Sequence, residues 1–490
     1  MSLNYNFIWL LCYLLVLVGL AGYGFHRLSI VYLYWKNRNN KPQPKARFQE
    51  LPVVTVQLPM FNEKFVVDRL LESVAALDYP QDKLEIQILD DSTDDTTEQC
   101  YRKVEELKSR GFDAVCIHRT DRTGFKAGAL EAATKVAKGE FLLILDADFV
   151  PEPDLLQKTI HFFTDENVGL VQTRWGHINR EYNLLTRIQG MYLDGHFAME
   201  QTARNRSGRF FTFNGTAGIW RKCVIGDAGG WSHDTLTEDM DLSYRVQLKG
   251  WRFIYLNDVV TPAELPVDMD GFKSQQHRWT KGSIQVCQKI LLDIWRSNAP
   301  LKAKVEATTH LTCNYSYLLL ALLCFLVYPI CTQRIPENET VFMWFVNVAL
   351  FFMTSVAVCI FYMSAQIVVR PKSWWKELPY LPLLLTLSVG MAVNNAKAVL
   401  EAIFGHQSAF VRTPKYGVDR KEDRRHVSQL KRNGYRAIKS VVIPVLEIAC
   451  GTFFLNLIII MIRQGHYLSP ILMIPFLGFY YTGFCALGRM

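Results

Sequence analysis

Hydrophobic and polar positions divide this chain into two apolar ends and a mixed centre. The first apolar stretch is Phe7–Tyr23, and strongly apolar sequence returns from about residue 307. Between them, residues 51–300 combine charged side chains with short apolar runs. A bilayer core needs about 20 apolar residues per helix. The ends are therefore typical of membrane spans, and the centre is typical of a folded domain outside the membrane.

The centre alternates strand-like and helix-like patterns. Buried strands are predicted at Val53–Leu58, Leu84–Leu89, Ala114–His118, Glu140–Leu145 and Gly169–Thr173. Helical patterns lie between them at Lys64–Leu77, Asp95–Arg110 and Ala127–Lys138. This alternation predicts an α/β domain whose mostly parallel sheet is covered on both faces. Ligands of such sheets bind at the carboxyl ends of the strands, so chemistry is expected there.

The apolar ends predict a multi-pass membrane protein. Basic residues follow the first segment, which favours an uncleaved span in residues 1–30 with its N-terminus outside; a cleaved signal peptide is the alternative. Later spans are expected at His310–Cys331, Val341–Val369, Val441–Met461 and Leu468–Leu487. The stretch Leu378–Phe404 is too short for two crossings and lies between cytosolic flanks, so it is interpreted as re-entrant or interfacial. The result is five spans, with the central domain and the C-terminus in the cytosol.

Charge and cysteine content narrow the class of protein. The net charge is +8, and basic residues concentrate in 36–47 and 412–439, beside apolar segments. Flanking charge around membrane spans explains this distribution. Since the chain has no zinc pattern and no aromatic RNA-binding signature, nucleic-acid binding is not expected. None of the eleven cysteines forms a CxxC pair, so neither a disulfide framework nor a structural zinc site is expected.

Two pairs of aspartates directly follow predicted strands. Asp90 and Asp91 follow Leu84–Leu89, while Asp146 and Asp148 follow the strand that ends at Leu145. Carboxylates in this arrangement suit Mg²⁺ or Mn²⁺, which share oxygen ligands with substrate phosphates. Either pair alone is equally consistent with a helix cap or a turn. Two pairs at neighbouring strand ends favour a binding site.

Three further groups of polar residues lie in the central domain. Thr237, Glu238 and Asp239 introduce a predicted helix, and capping is a strong alternative explanation for them. The segment Gln275–Trp279 places an amide, a guanidinium and an indole within about one and a half helical turns. It suits a diphosphate and a sugar ring, or an interfacial helix with Trp279 as its anchor. Lys126 lies at a predicted helix start, where phosphate contact is favoured over an ordinary surface position.

Together these motifs resemble glycosyltransferase family two, in its processive polysaccharide-synthase branch. The family pattern is an aspartate pair, a DxD, a TED and a QxxRW, followed by membrane helices, and all four motifs occur here in that order. Shorter strings resemble cellulose-synthase-like mannan and glucan synthases, namely Pro59–Glu63, Gly124–Ala129, Val171–Trp175 and Phe213–Thr216. The string Phe410–Lys415 resembles the gating loop of cellulose synthases, although the family usually has valine where this chain has Arg412.

The resemblance implies a fold and a domain organisation. The fold would be a glycosyltransferase-A-type, Rossmann-like α/β domain in the cytosol, residues 51–300, inserted between transmembrane helices. It would end in amphipathic interfacial helices. A transmembrane region would follow at 307–490, with an interfacial helix near 378–404 and a gating-like loop near 405–420.

The resemblance also implies the functions of individual residues. Asp239 would be the catalytic base. The nucleotide-sugar would contact Glu63, Asp90, Asp91, Lys126, Asp146, Gln275 and Arg278. The acceptor would contact Phe213, Asn214, Gly215, Thr216 and Trp279. Asp146 and Asp148 would hold Mg²⁺ or Mn²⁺, and Phe410, Thr413 and Lys415 would belong to the gating loop.

The function expected from these features is an inverting hexosyl transfer. The donor would be UDP-glucose or GDP-mannose, and the acceptor a growing β-linked polysaccharide that crosses the membrane. A single transfer to a lipid acceptor is the alternative. A channel or transporter is disfavoured, because the acidic clusters lie in a large domain outside the membrane. The protein is expected in a plasma or inner membrane, or in a Golgi membrane if eukaryotic, in contact with membrane lipid. The sequence does not predict its oligomeric state.

Overall fold

A computed structural model shows how the two apolar ends and the central domain are built. It describes residues 2–332, 352–407, 412–419, 421–432, 441–463 and 470–488. Phe410 of the expected gating loop lies outside the described residues, as does the first part of the expected span Val341–Val369.

The centre of the described chain contains a seven-stranded mixed sheet. Its strands are β1 (Val54–Met60), β2 (Leu84–Asp90), β3 (Asp113–His118), β4 (Phe141–Ile144), β5 (Val168–His177), β6 (Gly218–Arg221) and β7 (Arg252–Ala263). They are ordered β3-β2-β1-β4-β6-β5-β7. The neighbours of β1 and the β5–β7 pair are parallel, while β6 runs antiparallel to β4 and β5. All five strands expected from the sequence form, and the α/β fold class is confirmed.

Helices cover both faces of this sheet. They are α2 (Val67–Ala75), α3 (Thr96–Ser109), α4 (Phe125–Val136), α5 (Leu155–Thr159), α6 (Leu184–Asp194), α7 (Gln201–Arg206), α8 (Lys222–Asp227) and α9 (Glu238–Leu248). A π-helical segment, Gly195–Glu200, joins α6 to α7. Within β4, Phe141 and Leu143 pack into one hydrophobic cluster while Leu142 and Ile144 pack into another. Apolar side chains on both faces are what a sheet between two helical layers requires.

The remaining helices contain the apolar ends of the chain. They are α1 (Ser2–Asn37), α10 (Met269–Arg296), α11 (Leu301–Thr312), α12 (Tyr315–Thr332), α13 (Ala357–Val369), α14 (Leu381–Gly390), α15 (Ala392–Ile403), α16 (Arg424–Arg432), α17 (Val442–Arg463) and α18 (Pro470–Ala486). Among the described residues, Ile8–Asn37 and Val442–Arg463 are each long and apolar enough to cross a membrane. The number rises to four if each of two bent helix pairs is one span.

One bent pair corresponds to the stretch expected to be re-entrant or interfacial. Residues Trp374–Gly390 and Ala392–Ile403 meet at an angle of 41°. The other pair, Leu301–Thr312 and Tyr315–Pro329, bends by 52° and overlaps most of the expected span His310–Cys331. Whether either pair crosses or re-enters stays a prediction, as does the expected total of five spans.

Helix α10 connects the central domain to the apolar helices. Lys273 of α10 forms a buried ion pair with Glu447 of α17. About two helical turns further along α10, Lys281 lies 3.1 Å from Glu401 of α15. Since lysine and glutamate are seldom fully buried unless paired, these contacts fix α10 against the helices α15 and α17.

Candidate active site

A cavity opens at the carboxyl ends of the central strands, as expected for this type of sheet. It occupies about 210 Å³ between the sheet, α10 and residues 412–415. Most residues expected at the site line it: Glu63, Asp91, Lys126, Asp146, Asp148, Asn214, Gly215, Asp239, Gln275, Arg278, Trp279, Thr413 and Lys415. Residues more than 300 positions apart in sequence therefore share one cavity.

The two aspartates of the DxD motif are each paired with a lysine. Lys126, near the start of α4, donates to Asp146 Oδ1 at 2.5 Å and to the Gly215 carbonyl at 2.8 Å. Lys415 donates to Asp148 Oδ2 at 2.6 Å. Burial alone would lower the pKa of Lys126, but the neighbouring carboxylates outweigh burial and raise it. Both lysines are therefore positively charged in the cavity.

Residues 412–419, the docked loop, lie across one side of the cavity. Glu264, at the end of β7, accepts backbone N–H donors from three consecutive loop residues, Tyr416, Gly417 and Val418. The phenol of Tyr416 donates to Asp268 at 3.2 Å. A buried carboxylate that accepts several backbone N–H groups fixes the chain that donates them. Lys415 is thus held over Asp148 by the loop backbone.

Arg412 and Glu63 face each other at the edge of the docked loop. Arg412 NH1 lies 3.4 Å from Glu63 Oε2. Withdrawal from solvent raises the pKa of Glu63 to about 8, although Arg412 and Lys415 oppose the shift. Arg412 thus joins the docked loop to Glu63 on the wall of the cavity.

The first aspartate pair separates into two different environments. Asp91 lines the cavity and accepts two hydrogen bonds from Arg119, with Nε–Oδ1 at 2.8 Å and NH2–Oδ2 at 2.6 Å. Asp90 is fully buried and lies outside the cavity lining. It is bonded to His118 and to the hydroxyl of Thr97, each at 2.7 Å. Asp91 is thus positioned for a ligand, while Asp90 fixes the ends of β2 and β3.

Asp239 lies at the start of α9, on the inner wall of the cavity. Its Oδ1 accepts the N–H of Met240 at 2.8 Å, which leaves Oδ2 directed towards Gly215. Withdrawal from bulk solvent and the neighbouring Glu238 raise the pKa of Asp239 to about 7, against the opposing charge of Lys126. A carboxylate with a pKa near neutrality is suited to accept a proton during a reaction.

Helix α10 contributes three side chains to the cavity from one face. Gln275, Arg278 and Trp279 line it together, because positions three and four apart lie on the same side of a helix. Trp279 packs edge-on against Trp175 with ring centroids 6.5 Å apart. The side chains of Lys273 and Lys281 are instead paired with Glu447 and Glu401, so different faces of α10 serve the cavity and the apolar helices.

We expect Gly282→Ala to impair catalysis. A Cβ at Gly282 would lie 2.5 Å from the Thr237 methyl, so α10 and the segment leading to Asp239 would have to separate. A displacement of about 1 Å at a reacting group reduces turnover by roughly 10²-fold. Steady-state kcat measures the effect. The matched control is Gly226→Ala, where the added Cβ meets nothing within 4 Å; equal losses in both variants would contradict the close-approach argument.

Besides Trp279, the residues expected beside the acceptor are Phe213–Thr216, and these four lie in different places. Gly215 lines the first cavity, and Asn214 lines both this cavity and a second one. Phe213 borders only the second cavity and packs on Trp220 at 5.4 Å. Thr216 is fully buried, and its hydroxyl accepts the N–H of Asp146 at 2.8 Å. The structure therefore makes Thr216 a support for Asp146.

The second cavity continues from the first towards the apolar helices. Asp239 and Trp279 line both. Its farther wall includes polar and aromatic side chains of α12 and α13, among them Tyr317, Phe361 and Tyr362. A wall that combines aromatic faces with hydrogen-bonding groups suits a sugar chain.

Asp146 and Asp148 are suited to a divalent cation only in combination with other ligands. Both offer carboxylate oxygens to the cavity, and magnesium or manganese prefers such ligands. Among the described residues, no group of three or more His, Cys, Asp or Glu side chains is arranged to hold a metal ion. The two aspartates therefore fit a cation that also takes oxygens from a bound diphosphate, once Lys415 has moved away from Asp148.

The sequence patterns did not identify Glu264 as a site residue, nor did they predict the pairing of Arg119 with Asp91. Glu264 fixes the docked loop, and Arg119 holds Asp91. Glu264 follows β7, which the alternation of apolar residues did not reveal. A prediction of β7 would have placed Glu264 at a strand end, where ligands are expected.

The fold and the cavity define a glycosyltransferase-type domain, and comparison with known proteins supports this class. The model of the family described as "Glycosyltransferase like family 2" matches residues 52–282. Residues 52–282 therefore form a domain that matches glycosyltransferase family two, and the resemblance is confirmed.

Two curated plant proteins are similar to part of the chain. Glucomannan 4-beta-mannosyltransferase 2 of Arabidopsis thaliana is 42% identical over 286 residues, covering 55% of this chain and 53% of that protein. Glucomannan 4-beta-mannosyltransferase 1 of Oryza sativa subsp. japonica is 41% identical over 277 residues, covering 56% and 53%. The match thus spans about half the length of these relatives. Their names agree with the mannan-synthase branch of the resemblance.

A solved structure shares the fold. The mannosyltransferase PcManGT from Pyrobaculum calidifontis, determined in complex with GDP-Man and Mn²⁺, aligns with a TM-score of 0.57 at 20% identity. The alignment covers 81% of this chain and all of that one. It confirms the glycosyltransferase-A-type fold.

Proposed function

We propose that this protein transfers mannose from a nucleotide-sugar to a growing β-linked polysaccharide. The carrying observation is the convergence of Asp239, Lys126 and Arg278 on one cavity. A base and two cations are the groups that a transfer with loss of a diphosphate requires. The choice of mannose over glucose is supported by the names of the plant relatives.

The chain's own residues divide the reaction between them. Asp239 takes the proton from the acceptor hydroxyl as that oxygen attacks the anomeric carbon. Lys126 and Arg278 stabilise the negative charge that develops on the departing diphosphate. Trp279 offers its aromatic face to the acceptor sugar and holds it beside Asp239. A single displacement from an α-linked donor inverts the configuration, so the product is β-linked.

A divalent cation belongs to the same proposal. Asp146 and Asp148 would hold it, and it would supply positive charge to the diphosphate when bound. Lys415 must then leave Asp148, which requires movement of the docked loop. Freed from Asp148, Lys415 becomes available to the donor phosphates.

The polymer is proposed to leave through the second cavity, which begins at Asp239 and Trp279 and reaches the apolar helices. In this proposal the central domain lies on the cytosolic side of a membrane, where nucleotide-sugars are made. Basic flanks on both sides of the domain support that orientation.

The decisive experiment compares donors and sizes the product. Purified protein with Mg²⁺ or Mn²⁺ is incubated with labelled GDP-mannose, UDP-glucose, UDP-galactose or UDP-N-acetylglucosamine. We expect incorporation from GDP-mannose into a polymer that endo-β-mannanase degrades. Preference for UDP-glucose would contradict the donor assignment, and a single sugar attached to lipid would contradict the polymer.

The raised pKa of Asp239 predicts a pH dependence. Asp239 accepts a proton only as a carboxylate, so kcat should be constant above its pKa of about 7 and fall as pH decreases through it. The measurement is kcat at saturating donor between about pH 5.5 and 8.5. Because the charge of Glu238 contributes to the raised pKa, Glu238→Gln should move the acidic limb to lower pH. A profile that does not move in this variant would argue against Asp239 as the titrating base.

A further inference from the structure

A basic pocket of about 470 Å³ lies at the surface of the domain where α1 and α13 end. It is separate from the two cavities described above. Its lining includes Tyr34, Trp35, Arg38, Lys41, Arg174, Arg206, Asn257, Asp258, Val368 and Val369. Among the described residues of the lining, four basic side chains therefore face one carboxylate, a surplus of three positive charges.

The single carboxylate is already occupied. Lys41 Nζ lies 2.7 Å from Asp258 Oδ2. Arg174 donates Nε to the Asn257 carbonyl at 2.9 Å, and Arg206 donates NH1 to the Arg38 carbonyl. Within the described part of the chain, neither Arg174 nor Arg206 has a carboxylate within ion-pair distance. Their remaining guanidinium N–H groups are thus available to an anion from outside the protein.

The pocket is level with the ends of two apolar helices. Ile8–Asn37 is long and apolar enough to span a membrane, and its last turns carry the exposed rings of Tyr32 and Trp35. The guanidinium of Arg38 stacks on Trp35 at 4.9 Å. Val368 and Val369, the last residues of α13, form the opposite wall. Aromatic and basic side chains next to apolar helix ends are typical of the membrane–water interface.

We propose that this pocket binds the phosphate of an anionic phospholipid headgroup. Arginine forks match phosphate oxygens in a bidentate manner, and a neutral sugar would gain little from three surplus charges. A lipid whose phosphate reaches Arg38 and Arg174 can lay its acyl chains against the apolar surfaces of α1 and α13. Basic pockets between membrane helices on the cytosolic side commonly hold such headgroups.

Arg174 connects the basic pocket to the candidate active site through strand β5. Arg174 and Trp175 are neighbours on β5, where successive side chains point to opposite faces. Arg174 faces the basic pocket, and Trp175 lines the cavity beside Trp279. A headgroup bound to Arg174 thus contacts the strand that forms the wall of the candidate active site.

The test measures lipid retention by native mass spectrometry of the full-length protein. The protein is released from nanodiscs that contain equal amounts of phosphatidylglycerol and phosphatidylcholine. We expect selective retention of phosphatidylglycerol, and we expect Arg38→Gln/Arg174→Gln to weaken it roughly thirtyfold, as loss of two charges near a membrane predicts. Arg206 is left unchanged because its bond to the Arg38 carbonyl also joins α7 to the end of α1.

The matched control removes two charges from the same side of the protein. Lys372 and Lys376 are exposed and follow α13, but they do not line the pocket. Lys372→Gln/Lys376→Gln should retain phosphatidylglycerol as the unmodified protein does. Equal losses in both double variants would mean general attraction to a charged membrane and would overturn the pocket. Equally tight binding of inorganic phosphate in detergent would also overturn the lipid assignment. Unchanged elution in size-exclusion chromatography checks that the variants are folded.

Discussion

Replacing Asp239 by asparagine should reduce sugar transfer by about 10²–10⁴-fold, the usual contribution of a positioned general base. The substitution keeps the shape of the side chain and an oxygen that can accept the Met240 N–H. It removes the carboxylate that takes the proton from the acceptor. Steady-state assays with labelled donor measure kcat, and calorimetry measures the affinity for the nucleotide. We expect kcat to fall while nucleotide affinity changes little.

The control for Asp239→Asn is Asp234→Asn. Asp234 is exposed, pairs with Lys289 at 2.8 Å and does not line the first cavity. Its substitution removes a carboxylate from the same loop region, so it should leave kcat within about twofold, as expected for an exposed ion pair. Normal turnover by Asp239→Asn would show that another group serves as base, and Glu238 would be the next residue to test.

The sequence predicts those site residues that directly follow a strand of the sheet. Asp91, Asp146 and Asp148 follow buried strands whose apolar runs are visible in the sequence, and parallel strands bring their carboxyl ends to one edge. The same argument covers Lys126, which lies at the start of α4, the helix that follows strand β3. Local pattern and sheet topology are sufficient to place these four residues together.

Long-range contacts could not be predicted in the same way. Lys415 reaches Asp148 across 267 residues, and nothing in the local sequence of either one specifies the other. Strand β6 is only four residues long and antiparallel to its neighbours, so its apolar run gave no periodic signal. Because the sequence did not predict β6 and β7, neither the position of Glu264 nor the docking of residues 412–419 could be predicted from it. The different environments of Asp90 and Asp91 also depend on His118 and Arg119, which lie beside them at the end of β3.

Breaking the ion pair between Lys273 and Glu447 should destabilise the protein strongly. Glu447 is fully buried, and Lys273 also donates to the Thr482 carbonyl at 3.1 Å. Removal of one member of a buried pair leaves an uncompensated charge, which typically costs about 3–5 kcal/mol. Glu447→Ala should therefore lower the apparent Tm in detergent by a clear margin. Lys397→Ala is the matched control, since Lys397 is half exposed and its pair with Glu401 is long at 3.6 Å; its loss should cost less than about 1 kcal/mol.

A double variant separates the contribution of this ion pair to stability from its contribution to the alignment of the cavity. Lys273→Met/Glu447→Leu replaces both charges by apolar side chains of similar size, and such replacements are often neutral for stability. If the pair only stabilises the fold, the double variant should recover both Tm and activity. We expect Tm to recover and kcat to remain reduced, because Lys273 precedes Arg278 and Trp279 on α10 and its bonds to Glu447 and Thr482 set where that helix lies. Full recovery of kcat would show that packing alone positions α10, and the ion pair would then have no part in aligning the cavity.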